Sequence, residues 1–336
     1  MRRKESPMSE QTVKAPARPS LGRRIFGVSE LGILVVLVLL IGLVSTVQPN
    51  FASLDSLSNF GSRAAWFGII ALGVVFQLSM GEIDLSTASI YGLTINLVAI
   101  LIVDYGIDPW FGSGIGILAG MALGALNGIL ATVFKVPVII ITLGTLSAFK
   151  GLTLVIAGGG FIYGLPREHS FFAVMGSEPL GVPMVIWAFA LLTALLSLVY
   201  NRTRYGFMVR SIGSNRRAAE LSGIPVARVR IVTLVLTGAL CGISGMLTLA
   251  FFSTADPNLG TGYELLAITA AIIGGTALSG GRGTVVGAAL GALLIAVISS
   301  GIVQFGITAN WSVFVTGVMI ILAVALDSAI RRRRSR

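Results

Sequence analysis

Charge is what this sequence has least of. Only 11% of its 336 residues are Asp, Glu, Lys or Arg, less than half the share of about 25% usual in soluble domains, which excludes an ordinary water-soluble globule. There is one cysteine, Cys241, and one histidine, His169. A disulfide within the chain and a cysteine metal cluster are therefore excluded, and His169, with no second histidine or cysteine near it in its loop, reads as a surface residue. No Gly-Lys pair occurs anywhere, so the GxxxxGK[ST] loop that cradles nucleotide phosphates is missing and the chain has no such site for hydrolysing ATP. No catalytic constellation appears.

What is there is oil. Hydrophobic residues make up 55% of the chain, with a mean hydropathy of +0.92 and 42 glycines. That is the composition of a polytopic membrane protein in which small residues let helices approach closely. Cys241 falls in an apolar run and reads as a packing residue. The formal net charge is +10, but the basic residues sit in tails and short loops between apolar spans, where they set membrane orientation rather than bind nucleic acid.

Ten spans of roughly bilayer length are expected, at 31–47, 63–80, 86–103, 111–134, 136–157, 183–200, 231–253, 265–278, 284–302 and 311–326. Residues 1–30 read as a disordered basic cytoplasmic tail, 31–327 as the transmembrane domain, 201–230 as a cytoplasmic loop within it, and 328–336 as a second basic tail. Placing both termini in the cytoplasm puts 21 of the 24 Lys and Arg residues inside; Arg63, Lys150 and Arg167 are the exceptions. The positive-inside bias therefore supports this topology, with both termini in the cytoplasm. Lys150, near the outer end of the fifth span, is expected to snorkel to water.

An internal repeat agrees with that count. The pattern GxxxGxxLGAL begins at Gly116 in the fourth span and again at Gly283 in the ninth. The two spans are five apart, an odd step, so the copies cross the membrane in opposite directions, as inverted-repeat transporters do.

Several stretches carry candidate function. In 201–230, Ser214 or Asn215 can cap a short helix continuing through Arg216, Arg217, Glu220, Leu221 and Ser222; Gly223 can end it and Pro225 forbids continuation. Two turns of helix are not stable alone, so this piece needs a docking partner. Gly81-Glu82-Ile83-Asp84-Leu85-Ser86 sets two carboxylates between apolar spans, as a gate or as a tight turn with Asp84 capping the next helix. Gln77, Asn96, Asn127, Thr142, Thr145 and Ser147 either line a path for a hydroxylated solute or bond helix to helix. Gly274, Gly275, Gly280, Gly281, Arg282 and Gly283 imply a tight turn between spans.

Three of these stretches together resemble the permease subunits of ribose-type ABC sugar importers. Gly81 to Ser86 is similar to that family's Gly-Gly-Ile-Asp-Leu-Ser, Ser214 to Pro225 to its cytoplasmic coupling segment, and Gly274 to Gly283 to its Gly-Gly-Thr-Ser-Leu-Ser-Gly-Gly-Arg-Gly. The sequence departs from the pattern at Glu82 and at Ala277. The resemblance implies an all-helical fold of about ten spans, no cofactor on this chain, and ATP and magnesium on a separate ATP-binding subunit. It also implies a solute-binding protein outside and a second permease copy, identical or paralogous. Two other readings stay open: a proton-coupled transporter using Glu82 or Asp84, and an ABC permease for branched-chain amino acids or nucleosides.

Overall fold

The computed structural model describes residues 28–308 and, beyond them, 311, 314, 315, 317–319, 321, 322 and 325. Residues 1–27 of the first basic tail, all of the second tail, and 7 of the 16 residues of the tenth expected span lie outside the described residues. The elements are α1 (Val28–Val47), a 3-10 turn at Pro49–Ala52, α2 (Leu54–Ser79), α3 (Thr87–Val103), α4 (Pro109–Val133), α5 (Val138–Ile156), α6 (Ser170–Met175) and a 3-10 turn at Pro179–Gly181. They continue with α7 (Met184–Arg202), α8 (Arg204–Ser214), α9 (Arg216–Leu221), α10 (Val226–Phe252), α11 (Tyr263–Ile273) and α12 (Val285–Gln304). There is no β-strand among the described residues beyond one isolated bridge between Ile162 and Ala255. The all-helical multi-pass architecture is as expected.

Among the described residues, seven helices are long and apolar enough to cross a membrane, namely α1, α2, α4, α5, α7, α10 and α12, and α3 and α11 are shorter apolar ones. Local chemistry sets their ends. The Ser53 hydroxyl accepts from the Ser56 amide and starts α2 nine residues ahead of the expected span, whose apolar run begins only after a polar first turn. Asp108 accepts from the Trp110 and Phe111 amides with Pro109 in the first turn of α4. Thr284 accepts from the Gly287 amide to start α12. Helix α11 stops at Ile273, short of the expected 278, because the glycine-rich loop begins there.

The core is built around α2, which is buried over most of its length and packs against α7, α10, α11 and α12. Helix α10 packs against α2, α3 and α4. If α4 and α12 are the two copies of the repeated pattern, α10 corresponds to α2 and α11 to α3. The contacts then exchange: α2 meets α12 as α10 meets α4, and α11 meets α2 as α3 meets α10. That is how two inverted halves interlock. Backbone approach makes the tightest of these contacts. A Cβ on Gly120 would run into the carbonyl oxygen of Gly238, and one on Gly238 into that of Gly120, so α4 and α10 touch main chain to main chain.

Candidate functional site

The turn between α2 and α3 is a hub of hydrogen bonds. Asp84 is 1% exposed; its Oδ1 accepts from the Ser86 amide (2.8 Å) and hydroxyl (2.6 Å), and Gln77 Nε2 donates to its Oδ2 at 3.2 Å. Asn127 of α4 donates to the Ser86 hydroxyl at 2.7 Å, and the Leu85 amide donates to Thr142 Oγ1 of α5 at 3.2 Å. One turn thus ties α2, α3, α4 and α5 together. A buried carboxylate is tolerated only with such donors around it. Asp84 does not cap α3 itself: Ser86 holds the N-cap position, and Asp84 fixes the Ser86 amide from two residues before. Of the other polar candidates, Asn96 lies apart and donates to the carbonyls of Gly92 and Asp256, while the buried Thr145 hydroxyl has no hydrogen-bond partner among the described residues.

Glu82 turns the other way. Its Oε1 lies 2.6 Å from the Arg230 guanidinium of α10 and 3.5 Å from that of Arg216 on α9. The Glu82 and Arg230 side chains are 11% and 8% exposed, whereas Arg216 is half exposed and also reaches Glu220 at 3.3 Å. These groups, with Thr132, Lys135 and Pro137, border a cavity of about 470 Å³. Arg230 was not among the residues singled out from sequence. The signal that could have found it was its place at the end of a span on the same expected membrane side as Glu82.

The segment after α7 folds into two short helices. Thr203 accepts from the Gly206 amide to start α8, and Asn215 accepts from the Ala218 amide to start α9. Of the two residues expected to cap, Asn215 does so and Ser214 is the last residue of α8. Gly223 ends the turn in a left-handed conformation, and Pro225 precedes α10. Only Ala219 of α9 is buried; Arg217, Ser222 and Leu221 face outward, Leu221 being 83% exposed.

The glycine-rich loop between α11 and α12 closes the site. The Gly281 amide donates to the Ser79 carbonyl at the end of α2 (2.9 Å), and the Ala277 amide donates to the Arg282 carbonyl. Gly213 of α8 is wedged against both: a Cβ there would collide with the Ser79 carbonyl and sit 2.5 Å from the Gly281 nitrogen. A Cβ on Gly280 would meet Gly213 Cα at 2.9 Å and the Gly81 nitrogen at 3.1 Å. The three stretches that stood out in the sequence therefore meet at one point, with the exposed helix α9 fastened to it.

At the opposite end of the bundle, Lys150 does not reach freely to water. Its Nζ donates to the Pro257 carbonyl (2.6 Å) and Asn258 Oδ1 (3.1 Å), because the loop before α11 folds over it. His169 starts α6 by accepting from the Phe171 amide and lies 3.1 Å from Asp108. Hydrogen bonds from the Phe111 amide first, then the Trp110 amide, and the neighbouring His169 hold the Asp108 carboxyl below its ordinary value. No cluster of three or more metal-ligating side chains is found among the described residues.

Residues 56–324 match the family model described as the branched-chain amino acid transport system / permease component. The chain belongs to this permease family. The permease is 33% identical over 326 residues to the ribose import permease protein of Escherichia coli strain K12, covering 96% of this chain and 99% of that one. To the ribose import permease protein of Bacillus subtilis strain 168 it is 36% identical, with 89% and 92% covered. To the D-allose transport system permease protein of Escherichia coli strain K12 it is 32% identical, with 90% and 92% covered. No solved structure matches the permease.

Proposed function

We propose that the permease is the membrane subunit of an ATP-driven ABC importer that carries a monosaccharide, pentose or hexose, or a related polyol across the bacterial inner membrane by alternating access. The single observation that carries this reading is the exposed helix α9, presented beside a junction where the α2–α3 turn and the glycine-rich loop meet. A partner that pulls on α9 pulls on four membrane helices. In this reading both termini are cytoplasmic, and two ATP-binding subunits with ATP and magnesium dock on Arg216, Arg217, Glu220 and Leu221. A solute-binding protein delivers from outside onto the loops at 158–181 and 255–264, and a second permease copy completes the pathway. ATP drives transport only through the partner's differential affinity for the two states.

The choice of a sugar rests on the relatives, whose names specify ribose and D-allose and which align over nearly the whole chain. Thr145 and Ser147 are the polar side chains that remain for lining a path, since Gln77, Asp84, Asn127 and Thr142 hold helices together and Asn96 ties α3 to the loop before α11. The proton-coupled reading is weakened by the pairing of both its candidate carriers, Asp84 by three donors and Glu82 by two arginines. Reversing charge at Arg217, as Arg217→Glu, is expected to leave expression intact and abolish uptake driven by ATP. Normal uptake at normal expression would count against docking at α9.

A further inference from the structure

Glu82 is the carboxylate that fastens α9 to the membrane helices, and its two arginines hold it unequally. Arg230 is nearly buried, grips Oε1 at 2.6 Å and also points its Nη1 at the Ala131 carbonyl at the end of α4. Arg216 is half exposed, stands farther off at 3.5 Å, and has a second carboxylate within reach in Glu220. The asymmetry has an energetic meaning. Stripping a buried charge of its partner is expensive, but Arg216 can leave Glu82 without stranding it, because Arg230 stays, and can leave without being stranded itself, because Glu220 is on its own helix. Exposed pairs of this kind are weak and exchange at little cost.

We propose that Glu82 is a positioning residue for energy coupling, a one-sided clasp in which Arg230 is the fixed jaw and Arg216 the releasable one. The proposal rests on the reading of α9 as the docking helix. When α9 is seated, the Arg216 contact transmits its position to the α2–α3 turn, two residues from Asp84 and its ties to α2, α4 and α5. When a partner displaces α9, Arg216 gives up Glu82, keeps the Glu220 contact it already has, and the turn is released.

The experiment has two arms. In proteoliposomes holding the permease with its ATP-binding subunit and binding protein, solute taken up per ATP hydrolysed is measured for wild type, Glu82→Gln, Arg216→Gln and the double variant at equal complex yield. Each single variant is expected to lower the ratio by about fivefold or more, and the double variant to be no worse than Glu82→Gln, because both remove one contact. A wild-type ratio in Arg216→Gln, or losses in the double variant that multiply, would overturn the clasp. Arg216 is exposed, so this arm survives even if Glu82→Gln fails to fold. In the second arm, amide exchange over 216–221 is read on the purified permease alone, and Arg216→Gln is expected to speed it. Unchanged exchange there also overturns the clasp, whereas wild-type transporter that takes up nothing with ATP defeats the importer reading instead.

Discussion

Asp84 and Glu82 stand two residues apart in one turn and do different work because of what faces them. Asp84 is satisfied by Ser86 and Gln77, so Asp84→Ala would orphan a buried amide and a buried side-chain amide and cost about 3 kcal/mol. The expected result is a large fall in thermal midpoint in detergent, with Thr142→Val, which removes the acceptor for the Leu85 amide and a local bond to the Ile139 carbonyl, falling less. Arg230→Gln leaves Glu82 buried with Arg216 alone, and a loss of about 3–5 kcal/mol is expected from breaking a buried pair on one side; a stability close to wild type would show that Glu82 rehydrates. The sequence made both carboxylates visible as costly charges between apolar runs. It did not reveal the buried partner of Glu82, because Arg230 is 148 positions away and only the packing of α10 brings it near. Lys150 shows the same limit, since its ligands at Pro257 and Asn258 come from a distant loop.

Among the elements, helix starts were the more legible feature and helix contacts the less. Ser53, Asp108, Asn215 and Thr284 do cap the starts of α2, α4, α9 and α12, though of these only the cap at 214–215 was anticipated and the polar first turn of α2 hid its true beginning. The spacing of glycines showed that helices approach closely but not which ones. In the structure Gly120 meets Gly238, so Gly120→Ala is expected to lose the monodisperse folded protein seen by gel filtration, while Gly114→Ala on the same helix, with open space at its Cβ, keeps it. At the start of α4, the carboxyl of Asp108 is held low in the folded state by the amides it caps. Its contribution is therefore complete above the unfolded carboxylate value near pH 4 and is lost as pH falls through the lower folded value. Asp108→Asn is expected to flatten that acid limb of a stability-versus-pH curve; an unchanged limb would mean the cap contributes nothing there.

For the whole molecule, hydropathy and charge were enough to indicate a polytopic helical membrane protein, and three motifs to suggest a permease; nine of the ten expected spans coincide with an unbroken helix among the described residues, and the described residues of the tenth are helical as well. The repeated GxxxGxxLGAL pattern hinted at two halves, and the exchanged packing of α2 with α12 and α10 with α4 gives that hint a three-dimensional form. What a single sequence could not convey is convergence: three motifs at 81–86, 214–225 and 274–283 were conspicuous separately, and only tertiary packing shows that they form one junction. If that junction receives work from outside the chain, transport must need an ATPase partner. The most direct test is uptake of radiolabelled ribose and other monosaccharides into proteoliposomes of the purified permease, with and without the ATP-binding subunit and binding protein proposed for it, and ATP. Accumulation only when all are present is the predicted result; accumulation by the permease alone, abolished by an uncoupler, would contradict it.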